Sequence, residues 1–355
     1  MAAMTPADAA STLATARQLP KVVLHDHLDG GLRLVTLFEL LQQRGLTLPA
    51  ANLAELQAWF EARAHAGSLE QYLQGFALTV AAMATPEAMA RVAFEAAEDA
   101  QLDGAVLAEF RIAPLLFEAH GVSIEATVDA LLEGLSRSPL PTGLIVCAMR
   151  HLPAEETLRA AKLALHFHGR GVVGFDLAGP EYGHPPSDHI QALNLLRDAG
   201  MPLTLHAGEA DAAERVLEAA RLGATRIGHG VRLVDALTDP RRRALVDEAI
   251  ALGIHLEVCP TSNVHTGAAM SVATHPITAL WRAGVSLSYH TDNRLMSCIT
   301  HSGEAAALLE HTPLTREDLL AMTTQALDHS FLADGAKNAA RAVLLPQKLA
   351  LNDTP

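Results

Sequence analysis

Hydrophobic positions along the chain follow two alternating patterns. Short runs of apolar and β-branched residues, typical of buried parallel strands, are separated by longer Ala-, Leu- and Glu-rich segments with helical character. The pattern predicts eight strands, at Val22–His27, Ala105–Ile112, Gly143–Ala148, Val172–Leu177, Leu203–His206, Arg226–His229, His255–Val258 and Ser286–Tyr289. Strands that alternate with helices pair in parallel, so the chain is predicted to be an α/β protein with a TIM-type (β/α)8 barrel. A doubly wound open sheet is the alternative, but no Gly-x-Gly-x-x-Gly turn follows any of these strands.

One connection is much longer than the others. About 75 residues separate the first two predicted strands, far more than a usual strand-to-helix link. They predict a helical insertion over residues 35–101, with helices at Val35–Arg44, Leu53–Ala64, Leu69–Met83 and Pro86–Gln101. Only 4% of the chain is aromatic, yet four aromatic residues are concentrated here: Trp59, Phe60, Tyr72 and Phe76. We interpret them either as ordinary core or as the apolar wall of a cap over the barrel mouth.

The remaining segments are consistent with one domain over residues 1–355. Residues 1–18 predict an N-terminal extension with a short helix, and Thr315–Leu345 predicts extra helices after the last strand. No stretch of 18 residues is both apolar and free of charged residues, so no membrane span is predicted. The first 20 residues lack the basic start and apolar middle of a signal peptide. With three widely spaced cysteines, these features predict a cytoplasmic protein with reduced thiols and no membrane partner.

Composition limits the class of partner further. Half of the 355 residues are hydrophobic and 19% are charged, as in a soluble globular protein. The formal net charge is −14. Because nucleic acids are bound by clustered Lys and Arg, we do not expect a nucleic-acid partner.

Potential metal ligands stand at the ends of four predicted strands: His25 and His27 at the first, His206 and Glu209 at the fifth, His229 at the sixth, and His290, Asp292 and Asn293 after the eighth. The carboxyl ends of barrel strands converge on one mouth, so these side chains are expected to meet there. Alternation along a strand also places His25 and His27 on one face. Imidazoles and carboxylates in this arrangement predict a metal site.

A second His-x-His pair, His166 and His168, is interpreted differently. It lies at the end of a predicted surface helix. Residues two apart on a helix do not face each other, so we do not expect this pair to bind a metal.

Seven motifs extend this pattern along the chain: L-P-K-V-V-L-H-D-H-L-D-G (Leu19–Gly30), A-E-F-R-I-A-P (Ala108–Pro114), D-L-A-G (Asp176–Gly179), H-A-G-E (His206–Glu209), R-I-G-H-G (Arg226–Gly230), L-E-V-C-P-T-S-N (Leu256–Asn263) and H-T-D-N (His290–Asn293). In this order and spacing the chain resembles the adenosine deaminase family of the amidohydrolase superfamily. The resemblance runs from about Leu19 to Leu345.

The resemblance implies zinc-dependent hydrolytic deamination of adenosine and 2′-deoxyadenosine. A metal-bound hydroxide would attack purine C6 and give the 6-oxo nucleoside, inosine in the case of adenosine, and ammonia. His25, His27, His206 and Asp292 would bind one Zn²⁺ or another divalent transition metal. The fourth strand ends in F-D-L-A-G, without the Lys or Glu bridge usual in two-metal relatives, which favours a single ion.

The resemblance also implies individual roles. Glu209 would protonate purine N1. His229 would orient the attacking water and take up or stabilise its proton, or would act instead as a fourth imidazole ligand. Gly179 would offer its backbone N–H to N3, and Asn293 would donate to N7. Asp29 would accept a hydrogen bond from the ribose 5′-hydroxyl, which favours a nucleoside.

Another 6-aminopurine, either adenine or a modified adenine nucleoside, is the alternative substrate.

Two positions depart from the family pattern. Asn293 stands where many members have Asp, and its amide group can donate regardless of pH. His290 stands where Asn is more usual, and we interpret it either as a donor that holds Asp292 or as a packing substitution.

Overall fold

Eight short strands pair in parallel, each with its neighbours in the chain. The computed structural model describes residues 6–64 and 69–352, and the side chains of residues 10–64 and 75–345. The strands are β1 (Lys21–Val23), β2 (Ala105–Ile112), β3 (Thr142–Met149), β4 (Val172–Ala178), β5 (Thr204–Ala207), β6 (Arg226–His229), β7 (His255–Val258) and β8 (Ser286–Tyr289). They form two parallel sheets, β1–β4 and β5–β8.

Two isolated bridges join the sheets into a barrel. One connects β4 to the segment before β5, and the other connects Asp26, beyond β1, to Asp292, beyond β8. At this second seam the His27 N–H donates to Asp292 O at 2.8 Å, and the Asp292 N–H donates to His25 O at 3.1 Å. The predicted (β/α)8 barrel is confirmed, and the backbone that completes it carries three of the predicted metal ligands.

The described helices are α1 (Pro6–Gln18), α2 (Leu34–Gln43), α3 (Leu53–Ala64), α4 (Leu69–Met83), α5 (Pro86–Leu102), α6 (Ile124–Ser136), α7 (Ala154–Phe167), α8 (Ile190–Asp198), α9 (Glu214–Arg221), α10 (Val234–Thr238), α11 (Arg243–Ala251), α12 (Pro260–His265), α13 (Ile277–Arg282), α14 (His301–His311), α15 (Arg316–His329) and α16 (Asp334–Asn352). Helices α2–α5 form the predicted insertion, and α15 and α16 are the predicted C-terminal helices. α14, between β8 and α15, was not predicted. None of the helices in the described ranges has the length and apolar character needed to span a membrane.

The barrel wall separates an apolar outside from a polar inside. On β2, Ala108, Phe110 and Ile112 join the main hydrophobic core beneath the helices. The alternate residues Glu109 and Arg111 are fully buried and bond to side chains from other strands. Buried charges are stable only when they are paired, so the barrel interior holds an ion-pair network.

The first strand is shorter than predicted. β1 ends at Val23, whereas the sequence predicted a strand through His27. The ladder between β1 and β2 shifts register after Lys21, and the segment beyond β1 pairs only through isolated bridges. The segment that carries the paired histidines is therefore held by both neighbouring strands without belonging to a regular ladder.

The second His-x-His pair lies at the surface, as predicted. Helix α7 ends at Phe167, and both His166 and His168 are exposed.

Candidate active site

Four potential metal ligands meet at the mouth of the barrel. His25, His27, His206 and Asp292 each offer one donor atom, and these four atoms lie within 4.8 Å of one another. Asp292 Oδ1 is 3.3 Å from His25 Nε2 and 3.5 Å from His27 Nε2. The structure thus brings together the four residues predicted as ligands. His229 is outside this group, although its ring centroid is only 5.0 Å from that of His25.

The hydrogen bonding of His25 fits a metal ligand. Its Nδ1 donates to Glu257 Oε2 at 2.9 Å, whereas its Nε2 is buried and has no hydrogen-bond partner among the described residues. A neutral imidazole that donates from one nitrogen presents the lone pair of the other. His206 repeats the arrangement, with Nδ1 2.9 Å from Asp176 Oδ2. Carboxylates that orient imidazoles in this way are typical of protein metal centres.

Burial and charge favour the deprotonated donors that a metal requires. Burial lowers the pKa of His27 well below its ordinary value, so this ring is neutral. Burial alone would raise the pKa of Asp292, but the nearby imidazoles of His25 and His229 hold it well below its usual range.

A buried ion-pair network supports the two orienting carboxylates. Arg111 donates to Asp176 Oδ2 at 2.9 Å and to Glu257 Oε2 at 2.6 Å. Arg226 donates to the other oxygen of Glu257 and to Glu109, both at 2.5 Å. Burial alone would raise the pKa of Glu257, but the two guanidinium groups hold it well below its ordinary value. Glu257 therefore stays ionised while it orients His25.

The sequence interpretation assigned no role to Asp176 or Glu257, although both lie within the motifs. A usable signal was present, since each is a carboxylate between apolar residues of a buried strand. Such a charge is rarely buried without a partner. Their partners come from strands distant in the chain, so their roles become visible only in the closed barrel.

A hydrogen-bond chain sets the tautomer of His229. Burial lowers the pKa of His275 to about 3, and its Nδ1 accepts from the Ile277 N–H at 3.0 Å. The proton of His275 therefore lies on Nε2, 3.3 Å from Asn263 Oδ1. The Asn263 amide in turn donates to His229 Nδ1 at 3.1 Å. A neutral His229 consequently carries its proton on Nε2, which is 3.6 Å from Glu209 Oε2.

Glu209 is held through one of its two carboxyl oxygens. Its Oε1 accepts from Thr266 Oγ1 at 2.8 Å and from Asn263 Nδ2 at 3.2 Å. Its Oε2 faces His229. The side chain is half-buried and borders the cavity, so one oxygen remains available to a substrate.

The ligand group opens into a cavity of about 170 Å³. The three predicted substrate-binding residues, Asp29, Gly179 and Asn293, all line it together with Glu209. Asp29 Oδ1 and Asn293 Oδ1 are buried and have no hydrogen-bond partner among the described residues. Burial raises the pKa of Asp29 to about 7. The cavity thus presents polar atoms that a ligand would have to satisfy.

Gly179 needs to be glycine at this position. Its φ is +94°, a value that residues with a side chain rarely adopt. An added Cβ would lie 3.2 Å from both His151 Nδ1 and Met149 Cε. The absence of a side chain leaves the backbone close to the cavity, as the predicted contact with a purine requires.

Two residues of the site have unusual backbone conformations. His229 and Asp292 have φ values of 64° and 61°, and the described chain contains only one other non-glycine residue with positive φ, Cys298. Such conformations cost of order 1–3 kcal/mol and concentrate at functional sites. Two of these three positions belong to the predicted site.

The described aromatic side chains of the insertion have different surroundings. Phe76 lines the cavity. Phe60 is buried in the hydrophobic core, and Trp59 packs against that core and stacks with Arg63. The side chain of Tyr72 lies outside the described residues. Core packing therefore accounts for Trp59 and Phe60.

The hydrogen bonds of His290 go to residues other than Asp292. Its Nδ1 accepts from the Leu24 N–H at 3.3 Å, and its Nε2 is 2.6 Å from Ser288 Oγ. It therefore ties β8 to the segment that follows β1. The hydroxyl that holds Asp292 belongs to Ser262, which donates to Oδ2 at 2.6 Å and which sequence reasoning did not identify.

Comparisons with known sequences match most of this chain. The family model for adenosine deaminase matches residues 20–344. The adenosine deaminase of Mycobacterium tuberculosis (strain H37Rv) is 43% identical over 345 residues, covering 91% of this chain and 93% of that protein.

Solved structures extend the agreement. An amidohydrolase from Burkholderia ambifaria with bound Zn has a TM-score of 0.83 at 25% identity, over 99% of this chain and 95% of that one. An adenine deaminase from Arthrobacter aurescens also has a TM-score of 0.83, at 24% identity, over 95% of this chain and 100% of that one. This second likeness shows the fold alone. The donor set and the zinc-bound neighbour support a metal cofactor.

Proposed function

The chain belongs to the adenosine deaminase family, and on that premise we propose that it catalyses the zinc-dependent hydrolytic deamination of adenosine and 2′-deoxyadenosine. The products are inosine or 2′-deoxyinosine, and ammonia. The observation that carries the proposal is the convergence of four metal donors with Glu209 around one cavity.

Four residues, His25, His27, His206 and Asp292, would hold a single zinc ion. Three imidazoles and one carboxylate are the donors that zinc prefers, and the unpartnered Nε2 of His25 fits this set. A bound zinc ion lowers the pKa of a water ligand to about 7 and so provides a nucleophile at neutral pH.

Glu209 would act as the general acid. It would donate a proton to purine N1 as the water oxygen adds to C6, which removes the negative charge that would otherwise develop on the ring. His229, with its proton on Nε2, would donate a hydrogen bond that orients the attacking oxygen. One water proton leaves with the amine as ammonia, and the other restores Glu209.

Three further residues would position the substrate. Asn293 would donate to N7 and the Gly179 N–H to N3. Asp29, buried and with one oxygen unpartnered, would accept a hydrogen bond from the ribose 5′-hydroxyl. Phe76, from the insertion over residues 35–101, lines the cavity. We therefore propose that this insertion caps the bound nucleoside.

A substrate panel tests the proposal. Adenosine, adenine and adenosine 5′-monophosphate are offered to metal-replete protein, and ammonia release is followed. Adenosine should have a kcat/KM at least about 100-fold above that of either competitor, because an unpaired buried polar group is strongly penalised. Adenine leaves Asp29 without its partner. The phosphate group of adenosine 5′-monophosphate would enter a cavity whose described lining contains no Lys or Arg.

The control is Asp29→Ala. It should lower kcat/KM for adenosine by about 10- to 100-fold, as expected when a buried hydroxyl loses its hydrogen-bond partner, and leave the value for adenine unchanged. An enzyme that prefers adenine would contradict the assignment of Asp29, and one that deaminates none of the three would contradict the proposed function.

A further inference from the structure

The loop that carries Glu209 is bound by an unusual acceptor. Four consecutive backbone N–H groups donate to the single carboxylate of Glu181. Gly208 donates to Oε1 at 2.5 Å, and the three residues Glu209, Ala210 and Asp211 donate to Oε2 at 2.9, 2.8 and 3.1 Å. Consecutive amides of this kind form an anion-binding concavity, which in other proteins holds a phosphate or similar ligand. Here a side chain of the same chain fills it.

The backbone of this loop is shaped to present its amides. Gly208 has a φ of +68°, and an added Cβ would lie 2.7 Å from Val216. A left-handed residue directly after β5 turns the next N–H groups toward one side. The loop carbonyls face elsewhere, since Gly208 O and Glu209 O both accept from Arg232. The loop is therefore held by Glu181 on one side and by Arg232 on the other.

The acceptor itself is buried and has an electrostatic partner. Glu181 is 6% exposed. Burial lowers the pKa of the Arg150 guanidinium, and the negative charge of Glu181 acts against this shift. Arg150 also donates to the carbonyls of Leu177 and His206, at the ends of β4 and β5. Arg150 thus fastens the ends of these two neighbouring strands to each other.

We propose that Glu181 is a positioning residue that fixes Glu209 for proton transfer. Glu181 follows Gly179 by two residues, so the segment that would bind purine N3 also holds the loop that would protonate N1. A rigid connection between these two segments would keep the contacts to purine N1 and N3 at a fixed distance from each other. This inference rests on the proposed function. Its structural part, protection of four amides by one carboxylate, is measurable without any substrate.

The test combines kinetics with amide hydrogen exchange on the metal-replete full chain. Glu181→Gln keeps one acceptor oxygen but turns an NH2 group toward backbone donors. Glu181→Ala removes the acceptor altogether. Both variants should lower kcat for adenosine by about 10- to 100-fold, because a misplacement of 1 Å is enough for such a loss. KM should stay within about threefold, and metal content should equal that of the wild type. Amides of a peptide spanning residues 208–211 should exchange faster.

Two comparisons make the experiment decisive. Glu181→Asp, which keeps the carboxylate, should recover part of the lost kcat. Glu55→Gln is the matched control, since Glu55 also accepts a backbone N–H, from Ala51, but in the insertion and away from this loop, and it should behave as the wild type. Unchanged kcat in both Gln and Ala variants, or reduced kcat without faster exchange at 208–211, would overturn the inference. A wild-type protein that does not deaminate adenosine defeats the proposed function instead, and the exchange result still stands by itself.

Discussion

Replacement of Glu209 by Gln is expected to lower kcat for adenosine by about 10²- to 10⁴-fold while the metal content stays unchanged. The substitution keeps the size of the side chain and an oxygen that can accept from Thr266 and Asn263. It removes the carboxyl proton that would pass to N1. Because Glu209 is not among the four clustered donors, its loss should not release a metal.

The control for this variant is Glu214→Gln, an exposed substitution on α9 that should leave kcat unaltered. Metal content is measured on the same preparations. A kcat for the Glu209 variant within threefold of the wild type would contradict its role as the acid. Loss of the metal with the glutamate would place Glu209 among the ligands instead.

Replacement of Glu257 by Gln should cause the largest loss of stability in the barrel. Its carboxylate pairs with Arg111 and Arg226, and all three groups are almost fully excluded from solvent. Removing one partner of a buried ion pair leaves uncompensated charge, which typically costs about 3–5 kcal/mol. Denaturant unfolding of the metal-free variant measures the loss. The same change should weaken metal binding by about 10- to 100-fold, because a neutral amide oxygen is a weaker acceptor than a carboxylate for the His25 N–H that orients the ring.

An ion pair at the surface serves as the comparison that distinguishes the effect of burial on stability from the effect of charge. Glu248 accepts from Arg221 at 2.7 Å on the outside of the protein, and Glu248→Gln should cost about 1 kcal/mol or less. Similar losses for the two variants would show that the interior network does not stabilise the barrel.

The barrel could be predicted from the sequence because the strands of the barrel are buried on both sides. Such strands appear as apolar, β-branched runs, and seven of the eight were located almost to the residue. β1 was the exception. Its last residues pair through isolated bridges, and a seam between the first and last strands leaves no local pattern in the sequence.

The metal donors were predictable for a different reason. His25, His27, His206 and Asp292 stand at strand ends, and the barrel converts that position into proximity. The orientation of each imidazole was not predictable. It depends on Asp176 and Glu257, and both of these carboxylates are held by Arg111, which lies 65 and 146 residues away on a strand that neighbours neither of them. The contact of Glu181 with the Glu209 loop was not predicted, because a carboxylate that binds backbone amides has no fixed spacing from them along the chain.

The central claim is that one divalent metal at the barrel mouth is required for deamination, and metal removal tests it most directly. Purified protein is stripped with a chelator and then titrated with zinc, while bound metal and ammonia release from adenosine are followed on the same samples. The structure predicts that turnover disappears on stripping and returns in proportion to zinc, reaching its maximum at one ion per chain, and that His206→Ala abolishes both binding and turnover. Undiminished turnover in fully stripped protein would contradict the account.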